Sequence, residues 1–154
     1  MNRRFGWVLA GAFVGILAVG PLQGWSEAGT GKATIRITDR ELAASRIDLG
    51  ARGISPGDEE IVRTRLLERG TGKTIGRSEL VCTFVDSGRS RVCRGTYILP
   101  KGKLVVGGSL LYRQFYELAV TGGTGLYDNA RGTLTVTRTG RKPIRNQVVF
   151  RLVG

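Results

Sequence analysis

The sequence contains no histidine, only two cysteines, and aromatic side chains at 7% of 154 residues. Without histidine there is no Ser-His-Asp or Cys-His nucleophile, no His-ligated zinc and no imidazole acid–base. Two cysteines are too few for an all-cysteine zinc site or an iron–sulfur cluster. Acidic residues are also sparse, 12 against 24 Lys and Arg, for a formal charge of +12. No apolar run reaches the roughly 20 residues that span a bilayer. Any chemistry therefore rests on carboxylates, tyrosines, arginines and shape. Glycine is the residue in excess: 24 of 154 positions, a composition that favours many tight turns over long helices.

The length suits one domain. Arg3 and Arg4 precede an uncharged run over 5–20, and Ser26-Glu27-Ala28 offers small residues for cleavage. This layout is that of a secretory signal peptide. The expected organisation is a signal peptide over 1–28 and a single domain over 29–154, placing the mature chain in the periplasm or cell envelope, or secreted.

From residue 32 onward apolar and polar residues alternate with a period of two. Candidate strands fall at 33–38, 45–49, 60–68, 75–86, 91–99, 103–113, 115–121, 132–139 and 144–152. Turn signals stand between them at Gly70-Thr71-Gly72, Ser87-Gly88, Pro100-Lys101-Gly102, Gly122-Gly123 and Thr139-Gly140. This meander of eight or so strands suits a sandwich or a barrel, and with no helix to cover open edges the expectation is closure into an antiparallel β-barrel. A two-residue turn at Ser87-Gly88 sets Phe84 opposite Arg91 and Cys82 opposite Cys93. Directly opposed cysteines in an exported chain make a disulfide the default, with two buried thiols as the alternative.

Several chemical motifs fail on inspection. Gly70-Thr71-Gly72-Lys73-Thr74 imitates the end of a phosphate loop, but Leu67 stands where its first glycine is required. Gly122-Gly123-Thr124-Gly125 lacks the third glycine of a dinucleotide fingerprint, since Asp128 occupies that place. The adjacent Glu59 and Glu60 point to opposite faces of any strand and cannot form a glycosidase pair. No metal-ligand spacing is present. Arginine supplies 19 of the 24 basic residues, but Arg63, Arg65, Arg77, Arg94, Arg145 and Arg151 are spread over several strands. They would radiate around a barrel, and no aromatic residues interleave with them as stacking platforms, so specific nucleic-acid binding is not expected.

Apolar parity directs Ile35, Ile37, Leu66, Leu80, Phe84, Leu99, Val106, Leu110, Leu118, Val120, Leu134, Val136, Val148 and Phe150 inward. Among them fall Tyr97, Tyr112, Tyr116 and Asn146. A barrel of this size is either filled by its side chains or holds one modest ligand. Tyrosine hydroxyls in an apolar lumen would act as donors to a carbonyl or enol, unless they are core residues whose hydroxyls reach the mouth.

Several segments in order resemble the allene oxide cyclase and dirigent-like β-barrel superfamily. They are Gly57-Asp58, Val81-Cys82-Thr83 with Val92-Cys93, Gly95-Thr96 with Leu99-Pro100, and Leu118-Ala119-Val120-Thr121-Gly122-Gly123-Thr124-Gly125-Leu126-Tyr127 followed by Ala130-Arg131-Gly132-Thr133. The resemblance implies a closed eight-stranded antiparallel barrel, no cofactor, a possible homo-oligomer, and an apolar ligand or substrate whose stereoselective cyclisation or coupling the lumen steers. On that reading Tyr97, Tyr112 and Arg131 would be catalytic, with Arg131 matching the arginine of the family's Ala-Arg-Gly segment. Phe84, Tyr116 and Asn146 would bind the ligand. A staple of the Gly122–Gly125 segment is the structural role open to Arg131. The rival functions are a non-catalytic, lipocalin-like carrier and a structural envelope barrel.

Overall fold

The computed structural model describes residues 32–88, 90–111 and 114–153. Residues 1–28, the expected signal peptide, lie outside them, as does Tyr112.

Eight strands follow one another as an up-and-down meander: β1 (Ala33–Ile47), β2 (Glu59–Glu68), β3 (Thr74–Phe84), β4 (Ser90–Leu99), β5 (Gly102–Leu111), β6 (Phe115–Gly125), β7 (Arg131–Arg141) and β8 (Ile144–Val153). Each pairs antiparallel with the next, and β8 pairs with β1 to close the barrel. Closure removes the edges that a helix-free sheet would otherwise expose.

Three sequence expectations need correction. The separate strands expected over 33–38 and 45–49 are one strand, β1, carried through a bulge between Glu41 and Ala43. The Gly122-Gly123 signal lies inside β6, and the turn follows at 126–129. Close backbone approach requires glycine at two positions of this segment: a side chain on Gly123 would collide with the Tyr127 and Lys103 carbonyls, and Gly125 has φ +67° beside the Lys101 carbonyl. Thr139-Gly140 likewise lies within β7, at a bulge between Arg138 and Gly140.

The β3–β4 hairpin has the expected register, Phe84 opposite Arg91 and Cys82 opposite Cys93. The cysteines are bonded, their Cα atoms 4.0 Å apart. Closing a loop of 11 residues stabilises the fold by about 3 kcal/mol in the chain-entropy account.

The inward set packs as expected, with Leu66, Leu134, Val148 and Phe150 fully buried at its centre, and Leu104, not among the expected residues, joins them. The Tyr97 and Phe150 rings meet edge to face, centroids 5.1 Å apart, a geometry that satisfies the ring quadrupoles. Outside, Arg145, Arg40, Arg65 and Arg77 stand directly abreast on β8, β1, β2 and β3. All four are exposed; Arg77 is relieved by Glu79 at 3.4 Å.

The 48–58 connection is folded around Asp58. This buried carboxylate accepts from the backbone N–H of Leu49 and of Ser55, both at 2.9 Å, and from the Ser55 hydroxyl at 3.2 Å. Those bonds hold its carboxyl below the usual aspartate range.

Candidate functional site

The barrel interior divides along its axis. A rung of hydroxyls, Thr64 on β2, Ser78 on β3 and Tyr97 on β4, lies abreast across the wall. Thr64 and Ser78 are hydrogen-bonded at 2.7 Å, and Tyr97 bonds to Ser78. On one side of this rung the interior is solid aliphatic core. On the other a cavity of about 180 Å³ opens toward the end where β1, β3, β5 and β7 finish.

Its lining is mixed. Ala44, Val62, Leu80, Leu110, Ile144 and the Cys82–Cys93 disulfide supply apolar wall. Asp39, Glu41, Glu60, Arg91, Arg138, Tyr97, Tyr116, Gln114 and Asn146 supply polar groups. Strand alternation puts them there: Asp39 follows Ile35 and Ile37 on the inner face of β1, and Arg91 precedes Cys93 and Tyr97 on that of β4.

Asp39 is the most perturbed of the carboxylates. It is 2% exposed, and burial raises its pKa to about 6. Asn146, directly opposite on β8, donates through Nδ2 to Asp39 Oδ1 at 2.7 Å and partly offsets that rise. Glu41 pushes the pKa further up and Arg138 pulls it down. Tyr97 moves in the opposite functional sense. Burial first, then Tyr116 and Asp39, hold its hydroxyl well above the ordinary tyrosine value, so it stays protonated and is available only as a neutral donor or acceptor. Arg91, buried, is paired with Glu60 and lies over the Phe84 ring, 5.2 Å from its centroid.

The residues expected from the sequence to form the site thus separate. Tyr97, Tyr116 and Asn146 meet in the cavity, whereas Phe84 is buried behind it as the surface on which Arg91 rests. Arg131 opens β7 at the opposite end, exposed, where its guanidinium donates to the Ala130 carbonyl at 2.9 Å and lies beside Gly122. Its position suits a staple of that segment and is remote from the cavity.

Sequence reasoning misses Asp39, Glu60 and Arg91 as site residues. Each is accessible by extending an alternation already visible in its strand: Ile35 and Ile37 lead to Asp39, Leu66 leads back to Glu60, and Cys93 leads to Arg91. Among the described residues no group of three His, Cys, Asp or Glu side chains is arranged to hold a metal ion.

No protein-family model matches the sequence, and no curated protein matches it. Solved structures do. A pyocyanin demethylase is similar with a TM-score of 0.70 at 24% identity, over 79% of this chain and 100% of that one. A Diels–Alderase from Streptomyces koyangensis gives 0.63 at 16% identity, over 78% of this chain and 64% of its own length. A pterocarpan synthase dirigent protein gives 0.61 at 12%, over 80% and 89%. The chain therefore shares the closed β-barrel fold of these proteins.

Proposed function

We propose that the barrel takes a small, mostly apolar molecule into the mouth-end cavity and steers its cyclisation or coupling, with Asp39 moving the proton. One observation carries this reading: a carboxyl group with a pKa of about 6 faces a cavity of about 180 Å³ that also presents Tyr97 and Tyr116. A cavity of about 150 Å³ lined by aliphatic side chains accommodates benzene, so the space suits a one- or two-ring body or a folded chain. Diels–Alderase and dirigent barrels among the structural neighbours support it.

The chemistry follows from the groups present. Asp39 is divided between acid and base near neutral pH, the condition under which a carboxyl group both takes and returns a proton efficiently. Tyr97 and Tyr116 donate hydrogen bonds to a ligand oxygen as charge develops on it. Arg91, its charge matched by Glu60, places a fixed dipole beside the same space. The aliphatic wall and disulfide hold one conformer of the ligand, and the saving in orientational entropy is the main source of acceleration.

The test is incubation with an unsaturated linear substrate, or with a phenol and an added one-electron oxidant that supplies the radicals to be coupled, with product analysis and native mass spectrometry in parallel. The expected result is a ring-closed or coupled product from the wild type, and uptake without product from Asp39→Asn. A lipocalin-like carrier would return the substrate unchanged from both. A structural envelope barrel would take up nothing.

A further inference from the structure

We propose that the outer wall of β8, β1, β2 and β3 binds a flexible phosphate-bearing polyanion, a linear polyphosphate or a base-free poly(phosphodiester), along the row Arg145, Arg40, Arg65 and Arg77. The inference rests on the outside of the barrel and holds whatever ligand the cavity takes.

The register builds the row. The sequence spreads its arginines over several strands, but pairing sets Arg145 opposite Arg40, Arg40 opposite Arg65, and Arg65 opposite Arg77. Their chain neighbours Asn146, Asp39, Thr64 and Ser78 face the lumen, so strand alternation turns all four arginines outward. Adjacent strands lie about 4.8 Å apart, so the row spans roughly 14 Å. It crosses the strands and, because barrel strands tilt, winds obliquely over a convex surface. Among the described residues Arg145, Arg40 and Arg65 pair with no carboxylate, and Arg77 meets Glu79 at 3.4 Å. Arg36, Arg63 and Arg151 face outward on the same strands and add to the field, against Glu79 within the wall and Glu59 and Glu68 at the ends of β2.

Folding gains nothing from this row. Like charges directly opposite on neighbouring strands repel, and a bound polyanion removes that repulsion. Each guanidinium is a planar fork that takes two oxygens of one phosphate. Forks set in a line suit a chain that carries charge on every link better than they suit one small anion. The wall also selects among polyanions. Among the described residues no aromatic side chain faces outward on β8, β1, β2 or β3, since Phe84 and Phe150 are buried inside. Nucleic-acid bases therefore find no platform to stack on. Duplex DNA, stiff over about 50 nm, touches a convex wall at few points, whereas a flexible phosphate chain follows it. The far end of the barrel is basic too, but Arg69, Lys73, Lys101 and Arg131 stand there on separate connections and strand ends, where Glu68 and Asp128 also stand.

The experiment uses the whole chain and fluorescently end-labelled linear polyphosphate, read by anisotropy. The wild type should bind at low salt, with affinity falling steeply as salt rises. Arg40→Gln/Arg65→Gln should weaken binding about tenfold or more and flatten the salt dependence. Lys101→Gln/Arg131→Gln removes the same charge from the far end and should weaken binding about twofold or less. Arg65→Gln alone, which relieves crowding and keeps the fold, should already weaken it roughly threefold. Polyphosphate should also raise the melting temperature of the wild type more than that of the row variant. A parallel titration with poly(glycerol phosphate) distinguishes the two sources, the tighter binder identifying which chain the row takes. Equal losses in the two double variants, or no binding of either polymer to the wild type, overturn the proposal. So does tighter binding of oligo(dT) or a DNA duplex at equal phosphate concentration, which would make the wall a nucleic-acid surface. Ligand uptake by the row variant, measured by native mass spectrometry, tests the cavity separately, so the two proposals fail independently.

Discussion

The two halves of the barrel are made by the same eight strands and the same alternation, yet one is filled and the other is hollow. Below the Thr64–Ser78–Tyr97 rung the interior is packed with aliphatic and aromatic side chains, and Leu66, Leu104, Leu134 and Phe150 have no exposed surface. Above it the same strand faces present Asp39, Glu60, Arg91, Tyr116 and Asn146 around a cavity. The filled half supplies the hydrophobic stabilisation. It also holds the strands rigidly enough for the hollow half to keep buried charge next to open space. A protein that folds with one half has freedom to tune the other.

Substitutions sharpen that contrast. The largest expected effect is on stability in the filled half. Phe150→Ala removes a fully buried ring packed on Tyr97 and should cost about 3–5 kcal/mol, read by chemical denaturation. Leu110→Ala on the cavity wall is half-buried beside space that already exists, and should cost less than about 1.5 kcal/mol. Comparable losses would mean that the two halves are packed alike.

Asp39→Asn reverses the sign. The carboxyl pKa rises from 3.8 to about 6 on folding, so the folded state binds more protons than the unfolded state between those values. Its stability is complete below about pH 4 and falls as pH rises through 6. Ionised Asp39 therefore costs about 3 kcal/mol above pH 7, and asparagine keeps an acceptor for Asn146 without that cost. The variant should be more stable than wild type at pH 8 by up to about 3 kcal/mol, equal to it near pH 3.5, and inactive. Asp58 in the mouth connection provides the opposite slope. Its carboxyl is held low by backbone donors, so the stability it contributes is present above about pH 4 and lost on acidification. Asp58→Asn should lower the melting temperature at pH 7 and converge with wild type in acid.

Tyr97→Phe should lower turnover roughly tenfold while changing stability by about 1 kcal/mol, the usual worth of one hydroxyl hydrogen bond. An unchanged rate and product distribution would confine Tyr97 to the floor of the cavity. The smallest effect is outside both halves: Arg65→Gln, between Arg40 and Arg77 in the register, should raise stability by about 0.5 kcal/mol through relief of like-charge crowding. Thermal scans at low and high salt would show the gain fading as salt screens it.

Much of this is legible in the chain. Parity alone places twelve of the fourteen expected inward residues in the buried core, with Ile35 and Leu110 half-buried at its margins. The Ser87-Gly88 turn fixes the disulfide register. What escapes has a common physical cause. A polar residue in a strand reads as facing water, so Asp39 looks like the end of a strand when it continues the inner face. Glycine reads as a turn, so the Gly122–Gly125 segment looks like a loop, when close strand approach is the reason for it. The likeness that singles out Arg131 rests on a segment at the far end of the barrel, where it serves the strand junction. The division of the lumen is not legible at all, since it depends on which rungs lie level after the strands are staggered around the closed barrel.

The most direct test of the account is ligand uptake by a cavity-filling variant. Native mass spectrometry with naphthol should show one molecule bound per wild-type chain, and none bound by Leu110→Trp that retains the wild-type circular dichroism and melting transition. Absence of binding to the wild type, or equal binding by the filled variant, would contradict a ligand-accepting lumen.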